Sequence, residues 1–170
     1  EEFRRRISVD VYEEELLHRD EHSIEFQMLW LRHVLGEDWR GKAVPILCGS
    51  FHPYVVKGQS PREDSRVVEI VDALRALIAD YPGRATVIAG VDLSHVGQRF
   101  GHSRGIPPDE LERVRRDDRE VVESIQWGEA EGFYRTIEKK KDRNNVCGLS
   151  PIYLSLDVVR PSNGRLLSYD

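Results

Sequence analysis

At 170 residues the chain has the length of one domain, with 39% hydrophobic and 32% charged residues and a net charge of -5. That balance excludes a disordered or disulfide-framework protein. It carries no basic block of the kind that binds nucleic acid, so no nucleic-acid partner is expected. The longest apolar run, residues 85–91, is too short to cross a bilayer, so no membrane partner is expected either.

The predicted elements alternate. RRISVDVY (4–12) places Ile7, Val9 and Val11 on one side of a strand. From Glu21, EHSIEFQMLWLRHVL reads as a helix with Ile24, Met28, Leu31 and Leu35 in register. KAVPILC (42–48) reads as a short buried strand, with Pro45 favouring an edge or a bulge. Ser60-Pro61 starts a helix with an apolar stripe through Val67, Ile70, Val71, Leu74 and Ile78, which YPG at 81–83 ends. ATVIAGV (85–91) then reads as a strand. PPDELERVRRDDREVVESIQWG (107–128) is a charged helix buried along Leu111, Val114, Val121 and Ile125, and EAEGFYRTIEKK (129–140) is a shorter one. A helix follows Cys147 over 148–159, and GRLLSY (164–169) closes as a strand. No linker or repeat divides the chain, so one α/β layered domain over 1–170, a sheet with flanking helices, is expected.

Ligands of such folds gather at the carboxyl ends of strands. Asp92 and His95 follow the 85–91 run three residues apart. At that spacing a carboxylate can orient an imidazole and make its other nitrogen a better base; an Asp that caps a turn beside a packed His is the equal alternative. Cys147, just before a helix, is placed for a depressed thiol pKa, as nucleophile or soft metal ligand, against the plainer role of a small buried hydrophobe. His22 starts the first long helix and is placed to face a cleft. His18, His22 and Glu25 share a helical spacing, but LLHRDEHSIE lacks the H-E-x-x-H metal pattern. Cys48 and His52 form a further thiol–imidazole candidate, with packing the simpler role for Cys48. Neither Cys48 nor Cys147 sits in a disulfide pattern, which favours a reduced, cytoplasmic setting.

In order along the chain stand EHSIEFQMLWL (21–31), VPILCGS (44–50), GVDLSHVGQRFG (90–101) and NNVCGLSPIY (144–153). This series resembles the Memo family, known in prokaryotes as AmmeMemoRadiSam system protein B. The resemblance implies a fold similar to the class III extradiol dioxygenases, a cleft, and redox-active iron or copper. By the motif match it implies that His95 is the acid/base with Asp92 beside it, that His22 faces the cleft, and that Cys147 is a metal ligand. The P-H-A-G-Y-like and S-H-H-like motifs that supply the family's metal histidines do not occur in these 170 residues. The chain therefore reads as the C-terminal portion of such a protein or as a divergent member; with Cys147 alone left of the three ligands, it is not expected to form the metal site by itself, and metal-free chemistry is an alternative.

Three functions follow from these readings. One is a metal-dependent redox enzyme with His95 moving protons and Cys147 on the metal. Another is thiol chemistry without metal, with Cys147 as nucleophile and His95 or His22 as base. The third is a non-enzymatic module that binds a peptide or partner protein in the same cleft. A small-molecule or peptide ligand is the expected partner, and self-association as a homo-oligomer stays open.

Overall fold

The computed structural model describes residues 2–169. Six α-helices carry the fold: α1 (His22–Leu35), α2 (His52–Lys57), α3 (Ser65–Asp80), α4 (Pro108–Gln126), α5 (Ala130–Glu138) and α6 (Leu149–Val159). Local sequence accounts for their ends. The Asp64 carboxylate caps α3 by accepting the Arg66 N–H at 2.9 Å. Ser60 and Glu63 close a capping box on the short 3₁₀ turn Pro61–Glu63 before it. Pro108 opens α4 with Asp109 and Glu110 in its first turn, and Glu129 caps α5 through Gly132 N–H.

The helices pack α4 on α5, α5 on α6, and α6 on α3. Their shared core holds Val67 and Val71 from α3, Val121 from α4, Phe133, Tyr134 and Ile137 from α5, and Leu149, Ile152, Tyr153 and Leu156 from α6. Val55 of α2, a helix the sequence patterning does not announce, and Phe51 just before it join the same core. Buried polar groups are matched. Asp157 of α6 receives Arg62 at 2.7 Å and Arg75 at 2.6 Å, and Glu131 accepts both Ser60 Oγ and Tyr153 OH. No buried side-chain N or O among the described residues lacks a partner.

The expected layered α/β sheet, and with it a dioxygenase-like fold, is not what the chain forms. Among the described residues no strand pairs with another, and the one β-bridge joins Ser94 to Val146. Residues 42–48 and 85–91 run without regular structure, and Val44, Ile46, Val87, Ile88 and Val91 are exposed. An apolar β-branched run favours extended backbone, but a strand also needs a neighbour for its N–H and C=O groups. Pro45 removes one of those donors. The first expected strand is instead a 3₁₀ turn at Arg4–Arg6 followed by turns, and 164–169 likewise joins no ladder.

Among the described residues no helix is long and apolar enough to cross a membrane. The helix α1 forms as expected, yet none of its residues is buried, and Phe26, Leu29, Trp30 and Val34 face outward.

Candidate metal centre

Two loops meet at the Ser94–Val146 bridge, and the candidate residues flank it. His95 N–H donates to Asn144 O at 2.8 Å, and Gly148 N–H donates to Asp92 O at 3.2 Å. The approach is close enough to require glycine at 148, because a Cβ there would lie 2.7 Å from the Asp92 carbonyl oxygen. Residues Lys141, Asp142 and Asn145 all hold positive φ, near 50°, so the turn before Cys147 is a strained one. It is held by Asp142, whose carboxylate accepts Val146 N–H at 2.8 Å, and by Asp117 of α4, which takes Lys140, Arg143 and Asn144.

This geometry brings Asp92, His95 and Cys147 together. The Cys147 thiol donates to Asp92 Oδ1 at 2.9 Å, His95 Nε2 stands 3.6 Å from the same oxygen, and one ligand atom from each lies within 4.8 Å of the others. Among the described residues this is the one group of three or more His, Cys, Asp or Glu side chains so arranged. His95 Nδ1 is 3.0 Å from Leu93 O, a contact that places the ring proton on Nδ1 and leaves Nε2 with its lone pair toward the cluster. The His95 ring is steadied by an edge contact to Phe100, with centroids 4.6 Å apart. Asp92 is 78% exposed and His95 19%, so the cluster opens to solvent on the carboxylate side.

The thiol does not follow the expectation drawn from its place before a helix. Partial burial, and then the hydrogen bond to Asp92, push Cys147 up to about 11. Glu21, the N-cap of α1, adds to that upward push. His22 itself is 76% exposed, 3.7 Å from Glu21 and edge-on to Phe26. Cys48 and His52 do not pair: burial pushes Cys48 up to about 11, and His52 stands 3.5 Å from Asp142.

The donors also suit a metal. Thiolate, imidazole and carboxylate together match borderline transition ions, iron, copper and zinc among them. Ligand atoms on one tetrahedral ion lie roughly 3.3–3.8 Å apart, so the Asp92–His95 separation already fits and the Asp92–Cys147 pair must open by less than about 1 Å.

A model of Memo-like proteins matches residues 1–170. The chain belongs to the Memo family. Among its curated relatives, a MEMO1 family protein of Aquifex aeolicus is 24% identical over 173 residues, covering 100% of this chain and 41% of the relative. A MEMO1 family protein of Methanosarcina mazei is 28% identical, covering 92% of this chain and 49% of the relative. One of Saccharolobus solfataricus is 30% identical, covering 84% and 41%. The chain thus spans about half the length of the Memo proteins it matches. No solved structure matches it.

Proposed function

We propose that this Memo chain holds a transition-metal ion, iron or copper, through Cys147, His95 and Asp92, and serves redox chemistry at that centre. One observation carries the reading: S, N and O donors from two loops converge within 4.8 Å, with the imidazole Nε2 left free for coordination. The thiol proton lies where Cys147 meets Asp92, and loss of that proton converts a hydrogen-bonded pair into two adjacent anionic donors. Three protein ligands leave a further position on the solvent side, the pattern of a reactive site rather than a closed structural one. A bound ion would supply Lewis acidity and one-electron exchange at that position. With Nε2 given to the ion and Nδ1–H held by Leu93 O, His95 would serve as a ligand, and the second oxygen of the exposed Asp92 carboxylate is the group able to orient a bound molecule or accept a proton there. The reading with Cys147 as a metal-free nucleophile loses support, since a thiol pushed up to about 11 is protonated at neutral pH.

Titration of the chain with Co2+ tests this. Cobalt bound to Cys147 gives a sulfur-to-metal charge-transfer band, and Cys147→Ser abolishes the band while His95→Ala weakens binding by a factor of ten or more. A chain that shows no such band at saturating Co2+, or binds equally after both substitutions, overturns the proposal.

A further inference from the structure

The helix α4 carries two adjacent buried acids, Asp117 at 5% and Asp118 at 6% exposure. Neighbouring positions on a helix point about 100° apart, so one amphipathic face does not explain both. Asp117 has a structural account. Burial raises its carboxyl, but hydrogen bonds from Lys140 and Arg143 outweigh that and hold it below its ordinary value. Asp118 makes no ion pair among the described residues. Its two oxygens are each taken by a hydroxyl: Oδ1 by Ser94 Oγ at 2.5 Å, and Oδ2 by Tyr169 OH at 2.9 Å.

Burying a carboxylate against neutral donors is costly, and the donor at Oδ1 is not an arbitrary one. Ser94 stands in the loop between Asp92 and His95. Its backbone is also half of the bridge to Val146, the residue before Cys147. One hydrogen bond therefore anchors, to the packed helix layer, the point from which all three candidate ligands are hung.

We propose that Asp118 is a positioning residue for the metal centre, acting through Ser94 to hold the 92–95 loop in the register that brings Asp92 and His95 to Cys147. The proposal rests on the metal reading above. Asp117 anchors the 140–144 turn from the neighbouring position, so α4 grips both loops of the site through two consecutive side chains. The contacts differ in kind: Asp117 holds cations and Asn144, whereas Asp118 holds the hydroxyl set between two ligands.

The test uses the full chain with Co2+ as probe. Asp118→Ala and Ser94→Ala each weaken Co2+ retention roughly 10–100-fold and shift the thiolate charge-transfer band. The double variant is no weaker than Asp118→Ala, because the contact that Ser94→Ala removes is already lost there. Asp118→Asn, which keeps an oxygen for Ser94, restores both readouts close to wild type. Wild-type retention and an unshifted band in Asp118→Ala and Ser94→Ala, or losses that add in the double variant, overturn the proposal. Should Asp118→Ala fail to fold, Ser94→Ala reads the same contact from its other end. A second measurement separates this proposal from the metal reading. Imidazole ¹⁵N spectra of the metal-free chain at alkaline pH report whether His95 keeps its proton on Nδ1. If the wild type binds no Co2+, the metal reading fails; the clamp then stands if both alanine variants mix the His95 tautomers, and falls if neither does.

Discussion

At Cys147 the chemistry turns on which effect acts most strongly on one proton. A position ahead of α6 favours the thiolate, while partial burial and the Asp92 carboxylate favour the thiol, and the balance lies near 11. The group is raised, so its ionisation is deferred to alkaline pH, and replacement of Asp92 by Asn takes away a negative charge that deferred it. In a Cys48→Ser background, Cys147 alkylates more slowly than a free cysteine at pH 8. Asp92→Asn then speeds it roughly threefold to tenfold, because the burial contribution stays. Iodoacetamide kinetics check this, and a rate unchanged or slowed by Asp92→Asn contradicts the assignment of Asp92 as the thiol's partner.

Among the elements, α3 shows how a cap sets a pH dependence. Asp64 accepts the Arg66 guanidinium, then the Tyr54 hydroxyl and the Arg66 N–H, which together hold its carboxyl well below the ordinary carboxylate range. Loss of the cap in Asp64→Ala costs about 1 kcal/mol at neutral pH. A carboxyl lowered by folding contributes fully above its unfolded pKa and loses that contribution as pH falls toward the folded value. The gap between wild type and Asp64→Ala therefore narrows only below about pH 4, as urea unfolding at several pH values would show. A gap that widened on acidification would contradict the contact.

Five helices of this kind were legible in the sequence, because 3.6-residue periodicity, Ser60-Pro61, YPG and Pro108 are local signals. The helix α2 was not: HPYVVK is six residues long, too short to show a helical apolar repeat. The strands misled for the opposite reason, since ATVIAGV fixes its own extended tendency but not a partner. The site was half legible. The D-x-S-H and N-V-C-G stretches pointed to Asp92, His95 and Cys147, but Asp117 and Asp118 sit within RVRRDDREVV and read as solvated charge. Only the docking of α4 against both loops shows that they are buried.

Across the whole molecule, apolar burial is unevenly shared. The core joins α2, α3, α4, α5 and α6, and reaches the site through Val146 and Leu149 on either side of Cys147. None of the described residues before 51 belongs to that core, and Val44, Leu16 and Leu17 are left exposed at 78%, 79% and 53%. Free energy of local opening follows buried contacts and paired backbone groups, so the chain should divide into two classes in hydrogen exchange. Amides of α5 and α6 exchange at the rate of global unfolding. Those of 42–46 and 85–89, with neither ladder partners nor burial, exchange within the range of unstructured peptides. The amide of His95 belongs with the slow class, because Asn144 O and the anchored turn cover it only six residues from the fast 85–89 stretch. Mass-resolved exchange at the peptide level checks this division. Slow exchange throughout 85–89 would mean that its backbone is paired in solution. Fast exchange at His95 would mean that the loop carrying Asp92 and His95 is not held against Cys147 without a bound ion.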